Sequence, residues 1–168
     1  MTTVVPVGAT DTVRLTEIGE LTALAYLADG LIDSSHPYLP KLKDAQARAE
    51  HADLLMAADG DEAQGAAVGT ITVIRAGSPV SIVAQNDEFE LRMLAVSPLA
   101  RGRGIGKLLA RAGMDLAVEQ GAERIVMLTM EPMDAAHRLY AQVGFEREPS
   151  LDIVKDGINR LGYAWHKG

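Results

Sequence analysis

Apolar positions recur along this 168-residue chain in two rhythms, one near the helical period and one near two residues. The clearest helical rhythm covers residues 104 to about 120. There Ile105, Leu108, Leu109, Ala112 and Leu116 fall on one face, and Gly121 stands where a helix stop is wanted. A second covers 17 to about 29, with Ile18, Leu21, Leu24 and Ala25 as its stripe and Thr16 as N-cap. A third runs over 132–143 and ends at Gly144, and the polar, alanine-rich stretch 41–52 predicts a short helix. Strands are predicted at 12–15, 54–58, 67–74, 88–96, 124–130, 145–148 and 161–165. Asp59, Gly60, Asp61 and Glu62 mark a hairpin turn, the stretch 33–40 is a loop with two prolines, and 77–87 is a looser connection. In 88–96 the residues Leu91, Met93, Leu94, Ala95 and Val96 are apolar at both parities, so both faces of that strand are expected to be covered. The order predicts a mixed α/β fold with an antiparallel front half and a strand–helix–strand–helix centre, spanning 1–168 as a single domain.

Composition narrows the chemistry. There are no cysteines, which removes disulfides, thiolate nucleophiles and Cys-based metal sites. His36, His51, His137 and His166 show no ligand spacing, so no metal is expected. The first residues lack a basic, apolar leader and no apolar run is long enough to span a bilayer. The expectation is a cytoplasmic protein without a membrane partner. A formal net charge of −7 argues against nucleic acid and favours a cationic or neutral partner.

Between the apolar strand and the clearest helix lie Arg101, Gly102, Arg103, Gly104, Ile105 and Gly106. A glycine-rich strand-to-helix turn aims backbone N–H groups at one spot on the positive end of a helix dipole, which suits a phosphate. The helix itself carries its charges in reverse, with Arg103, Lys107 and Arg111 first and Asp115 and Glu119 last. The dipole prefers the opposite order, and an anion bound at the N-terminus accounts for the reversal. A solvated face with an Arg111–Asp115 pair is the plainer alternative. The turn is not a Walker A loop, because Leu108 stands where Ser or Thr would follow Lys107.

The flanks go further. The stretch from Glu90 to Pro98 precedes the turn, and Leu139, Tyr140, Gly144 and Phe145 follow one strand later. Together these resemble the GNAT superfamily of acyl-CoA-dependent N-acetyltransferases. Arg101, Gly104 and Gly106 match its (Q/R)-x-x-G-x-(G/A) loop, and Tyr140, Gly144 and Phe145 its L-Y-x-x-x-G-F signature. The resemblance implies a mostly antiparallel twisted sheet of six to seven strands with about four helices, splayed open between its fourth and fifth strands. It implies acetyl-CoA as co-substrate, its pyrophosphate on the N–H groups of Arg101, Gly102, Arg103, Gly104, Ile105 and Gly106. Leu94 and Val96 would pair with the pantetheine arm, and the Leu94 N–H would donate to the thioester carbonyl.

The same resemblance names Glu90 as base, directly or through water, with Glu88 as the fallback, and Tyr140 as the acid that reprotonates the CoA thiolate. Met133 stands where many members place an asparagine on the pantetheine arm. The acceptor is expected to be a small cationic amine or amino-acid-like metabolite, met by Asp33, His36 and Tyr38, with Asp29, Asp152 and Asp156 as further acids. A protein N-terminus or lysine is the alternative acceptor, and a non-catalytic acyl-CoA sensor is the alternative class. The resemblance leaves a homodimer open.

Overall fold

Alternating side chains on one strand set the layers of the molecule. The computed structural model describes residues 1–60 and 65–168. On β2 (Asp53–Asp59), Leu54, Met56 and Ala58 pack with Leu15 and Ile18, while Leu55 and Ala57 pack with Ile105 and Leu109. The first set faces α1 (Thr12–Ala28) and the second faces α4 (Ile105–Glu119), so helices cover both faces of the sheet.

Among the described residues eight strands form that sheet. They are β1 (Thr2–Val7), β2, β3 (Ala66–Arg75), β4 (Phe89–Val96), β5 (Arg124–Met130), β6 (Glu146–Arg147), β7 (Ile153–Lys155) and β8 (Ile158–His166). The order is β1-β2-β3-β4-β5-β8-β6, with β7 also on β8. Every pairing is antiparallel except β4 with β5. The remaining helices are α2 (Leu39–Lys43), α3 (Ala45–His51) and α5 (Asp134–Gln142). This is the mixed, mostly antiparallel architecture expected, with one more strand and one more helix.

Two features of β4 open the sheet. Its pairing with β5 covers only Phe89, Glu90 and Leu91 against Ile125, Val126 and Met127. Beyond that, β4 stays with β3 and β5 stays with β8, leaving a wedge between residues 92–96 and 128–130. The second feature is a bulge. The register steps from Thr70↔Ala95 to Thr72↔Arg92, so Met93 and Leu94 stand opposite Ile71. Met93 takes a left-handed φ of 53°, a strained conformation for a side-chain-bearing residue. The extra residue reverses the parity: Leu91, Leu94 and Val96 pack on the α4 side, Met93 and Ala95 on the α1 side. The unbroken apolar run in the sequence thus has two causes, burial on both faces and a bulge.

Some expected elements are corrected. Residues 12–15 are not a strand but the first turn of α1, capped by Asp11, whose side chain accepts from the Arg14 N–H at 3.2 Å. Thr16 is therefore internal, its hydroxyl donating to the Thr12 carbonyl. The first strand is instead β1, whose Pro6 weakens the pattern but is tolerated because β1 is an edge strand. The helix expected at 41–52 is two, parted at Asp44, whose carboxylate caps α3 through the Ala47 N–H at 3.0 Å. The tight hairpin of β7 and β8 was not anticipated; Asp156 and Gly157 turn it with φ of 53° and 73°. Part of the hairpin turn expected at 59–62 lies outside the described residues.

Candidate functional site

At the wide end of the wedge, the start of α4 is shaped by glycine. Gly102 and Gly104 take φ of 80° and 76°, and Gly104 is the N-cap. The Leu108 N–H makes the first intrahelical bond to the Gly104 carbonyl at 3.1 Å. The N–H groups of Ile105, Gly106 and Lys107 therefore lie ahead of the helical ladder. The first turn of α4 holds no acid, and Lys107 has no ion-pair partner among the described residues. A Cβ on Gly106 would lie 3.3 Å from Leu139 on α5, so the start of α4 packs closely on α5 there.

Between them runs a groove of about 690 Å³. Leu94 and Val96 line one wall, Arg101, Gly104 and Gly106 the head, and Met133 and Leu139 the α5 side. Gly102 and Ile105 also face it, so seven of the eight expected donor-loop and strand positions sit here, Arg103 being the exception. The Arg103 side chain turns away and pairs with Asp59 at 2.6 Å, which holds that carboxyl below its usual range. Arg101 is tied to Asp29 at the C-cap of α1, and Asp29 itself lines the groove.

Leu94 is the hinge between this groove and a smaller cavity of about 30 Å³ inside the wedge. Leu94 takes no place in the register with either neighbouring strand. Tyr140, Tyr26, Thr129 and Met130 line the inner cavity with it. Burial pushes the phenols of Tyr26 and Tyr140 well above their usual range, so both keep their protons. The Thr129 hydroxyl is buried without a hydrogen-bond partner. Arg92, Arg160 and Tyr38 line this cavity too, and continue into a third space of about 230 Å³ on the α1 side.

Glu90 is completely buried. Its Oε1 accepts from the Ser81 hydroxyl and from the N–H groups of Ile82, Val83 and Ala84 at 2.8–3.0 Å. Its Oε2 lies 3.2 Å from the Ile82 nitrogen and 3.8 Å from Arg92 Nε. A carboxylate so placed pins the segment between β3 and β4 over the strand, and Glu90 is not among the residues lining the three spaces. Glu88 faces another way, paired with Arg124 and accepting from the Gln85 N–H.

Of the expected acceptor residues, only Tyr38 is at the cavity. Its hydroxyl accepts from Arg92 at 3.1 Å and its ring lies beneath Arg160, whose Cζ is 5.0 Å from the ring centre. Asp33 is exposed, with a pKa lowered by hydrogen bonds from the Ser35 hydroxyl and N–H. His36 Nδ1 accepts from the Tyr38 N–H at 3.0 Å. Neither lines a cavity named above. Asp156 lines the third space and pairs with Lys41 at 3.7 Å, while Asp152 is held by Arg147 and the Gly162 N–H. Sequence reasoning missed Arg48, Arg92 and Arg160. Arg92 and Arg160 did carry a signal, a guanidinium set inside an apolar strand pattern.

Among the described residues no cluster of three His, Cys, Asp or Glu could hold a metal ion, and no helix is long and apolar enough to cross a membrane.

Comparison with known proteins agrees with this geometry. N-acetyltransferase family 8 member 3 of Rattus norvegicus is 34% identical over 86 residues, covering 51% of this chain and 36% of that protein. N-acetylaspartate synthetase of Danio rerio is 36% identical over 90 residues, covering 50% of this chain and 32% of that protein. The chain thus spans about a third of the length of these curated relatives. The PaiA N-acetyltransferase of Thermoplasma acidophilum, solved in complex with coenzyme A, shares the fold with a TM-score of 0.73 at 14% identity, over 99% of each chain. The model of the Acetyltransferase (GNAT) family matches residues 18–145, from α1 through the glycine turn to the end of the Tyr140 signature, and the chain belongs to that family.

Proposed function

We propose that residues 1–168 act as one N-acetyltransferase domain, moving the acetyl group of acetyl-CoA to a primary amine by direct attack in a ternary complex. The observation that carries this reading is the position of Leu94. It lies at the end of the groove headed by the α4 N-terminus and also lines the inner cavity with Tyr140. A donor and an acceptor entering from opposite sides would meet there.

On this reading the pyrophosphate rests on the N–H groups at the start of α4, with Lys107 adding charge, and the pantetheine arm follows Leu94 and Val96. The amine attacks the thioester carbon, and the carbonyl oxygen takes on negative charge beside the Leu94 N–H. One such donor is worth about 3 kcal/mol in the transition state. Collapse of the tetrahedral species breaks the C–S bond, the thiolate takes a proton from Tyr140, which burial keeps protonated, and the surplus proton on the new amide nitrogen leaves to restore the phenol.

The attacking amine must first lose its own proton, since alkyl ammonium groups have a pKa near 10. The four donors on Glu90 Oε1 leave Oε2, acting through water, as the form of base catalysis open to Glu90. Its other task is to fix the segment beside Arg92. The small size of the inner cavity supports a small amine over a protein segment, and one relative is named for the acetylation of an amino acid.

The test is release of free CoA from acetyl-CoA across a panel of amines and peptides. Turnover of at least one small amine is expected. Tight acetyl-CoA binding with no turnover on any of them would replace this reading with a sensor.

A further inference from the structure

The net charge of the chain points to a cationic acceptor, but the charges facing the acceptor side are reversed. Lys41, Arg48, Arg92, Lys155 and Arg160 line the 230 Å³ space, against Asp44 and Asp156 alone. Both acids are already engaged, Asp44 capping α3 and Asp156 with Lys41.

The arginines are also short of partners. Arg48 and Arg160 are buried, at 4% and 5% exposure, and neither has an ion-pair partner among the described residues. Arg160 donates to the Lys155 carbonyl at 3.3 Å. Arg48 donates to the Lys41 and Leu42 carbonyls, while its Nε is buried with no partner. Burial draws the Arg48 pKa down to about 10, which still leaves it charged at neutral pH. Arg92 gives its terminal nitrogens to the Val80 carbonyl and the Tyr38 hydroxyl, with Glu90 3.8 Å from its Nε. Buried cations so poorly matched are costly unless an anion joins them.

We infer that the acceptor amine carries a carboxylate, which Arg92 and Arg160 receive across the face of Tyr38 while Arg48 adds charge. The inference rests on the acetyl-transfer reading of the same site and specifies its substrate as amino-acid-like. Arg92 and Arg160 also line the inner cavity with Leu94 and Tyr140. A molecule anchored there by its carboxylate would therefore hold its amine toward the thioester. Guanidinium suits this task because its fixed fork matches the two oxygens of a carboxylate.

The experiment pairs amines that differ by one carboxylate, the α-carboxylate in glycine and glycinamide and the side-chain one in aspartate and asparagine and in glutamate and glutamine, with diaminobutane as a dication. Free CoA is followed with the wild-type protein. The acid of at least one pair is expected to exceed its amide by about tenfold or more in kcat/KM, as loss of one charge-assisted contact implies. Arg160→Gln is expected to raise KM for that acid by about tenfold or more, leave KM for acetyl-CoA unchanged and erase the preference over the amide. Glutarate, which has no amine, is expected to compete with the acceptor and not with acetyl-CoA, a readout that needs no variant to fold. A peptide beginning with aspartate, run beside free aspartate, separates a metabolite carboxylate from a protein one; preference for either over its amide supports the inference. Amides or the diamine turning over as fast as the acids, with no competition by glutarate, overturn it and leave acetyl transfer standing. Acetyl-CoA binding without turnover on any member overturns both.

Discussion

At the start of α4 the wall of the groove is backbone: N–H groups left ahead of the helical ladder, exposed by glycines at positive φ. Across β4 the wall of the space proposed for the acceptor is side chain, three guanidinium groups and a tyrosine brought from α3, β4, β8 and the loop before α2. The two halves meet at Leu94 and Tyr140. A backbone site can hold a fixed ligand with few constraints on side chains, so its signature is glycines at set spacing. A side-chain site is free to change with its substrate. On the proposed reading, the donor is legible in a local motif, while the acceptor is legible only in charges that the fold assembles.

Variants that touch one half alone sharpen this division. The largest effect is expected where the halves meet. Tyr140→Phe should lower kcat by about a hundredfold or more, the usual scale for loss of a general acid, with KM for acetyl-CoA little changed. Steady-state kinetics beside a thermal melt separates this from unfolding, and unchanged kcat removes Tyr140 from the proton path.

On the donor side, Gly104→Ala adds a Cβ that meets nothing within 4 Å, so its effect comes from backbone strain at φ 76°. A side-chain-bearing residue there costs about 1–2 kcal/mol, so acetyl-CoA affinity should fall by about tenfold. Titration calorimetry with CoA checks this. KM for the acceptor should not move, and an equal change in both would break the division.

On the acceptor side, Glu90→Gln places an amide among donors that need an acceptor. A loss of about 1–3 kcal/mol in stability is expected from denaturant melts. A proton relay through Oε2 would add a fall in kcat with KM for acetyl-CoA unchanged; a melt without change contradicts the anchoring role.

The smallest effect should come from Asp152, outside both halves, where the hydrogen bond from Arg147 and the Gly162 N–H lower the carboxyl pKa. A lowered folded pKa gives stability that is present above the usual carboxylate range and lost as pH falls through the lowered value. Asp152→Asn should therefore melt slightly earlier than wild type at pH 7, by less than about 1 kcal/mol, with the difference shrinking as pH falls below the usual carboxylate range. A difference constant with pH would mean that the charge is not its source.

Legibility in the sequence follows the same line. The strand β5 and the helix α4 are placed to within a residue or so, because long apolar periodicity and glycine stops are local signals. The groove residues were legible for the same reason. Residues 12–15 misled because Val13 and Leu15 alternate with Thr12 and Arg14 as in a strand, whereas in the helix Leu15 is buried and Val13 is exposed. The proposed acceptor site was not legible. Arg48, Arg92 and Arg160 are far apart in the chain, and a net charge of −7 averages over surface acids that never face the cavity. Glu90 stands out in the sequence as a carboxylate in an apolar strand, but the loop that supplies its donors has no pattern of its own.

The most direct measurement of the central claim is a crystal structure of this protein with acetyl-CoA. The account predicts the pyrophosphate within hydrogen-bond distance of the Ile105, Gly106 and Lys107 nitrogens, the thioester carbonyl on the Leu94 N–H, and the sulfur beside Tyr140. Acetyl-CoA bound elsewhere, with the opening between β4 and β5 left empty, would contradict it.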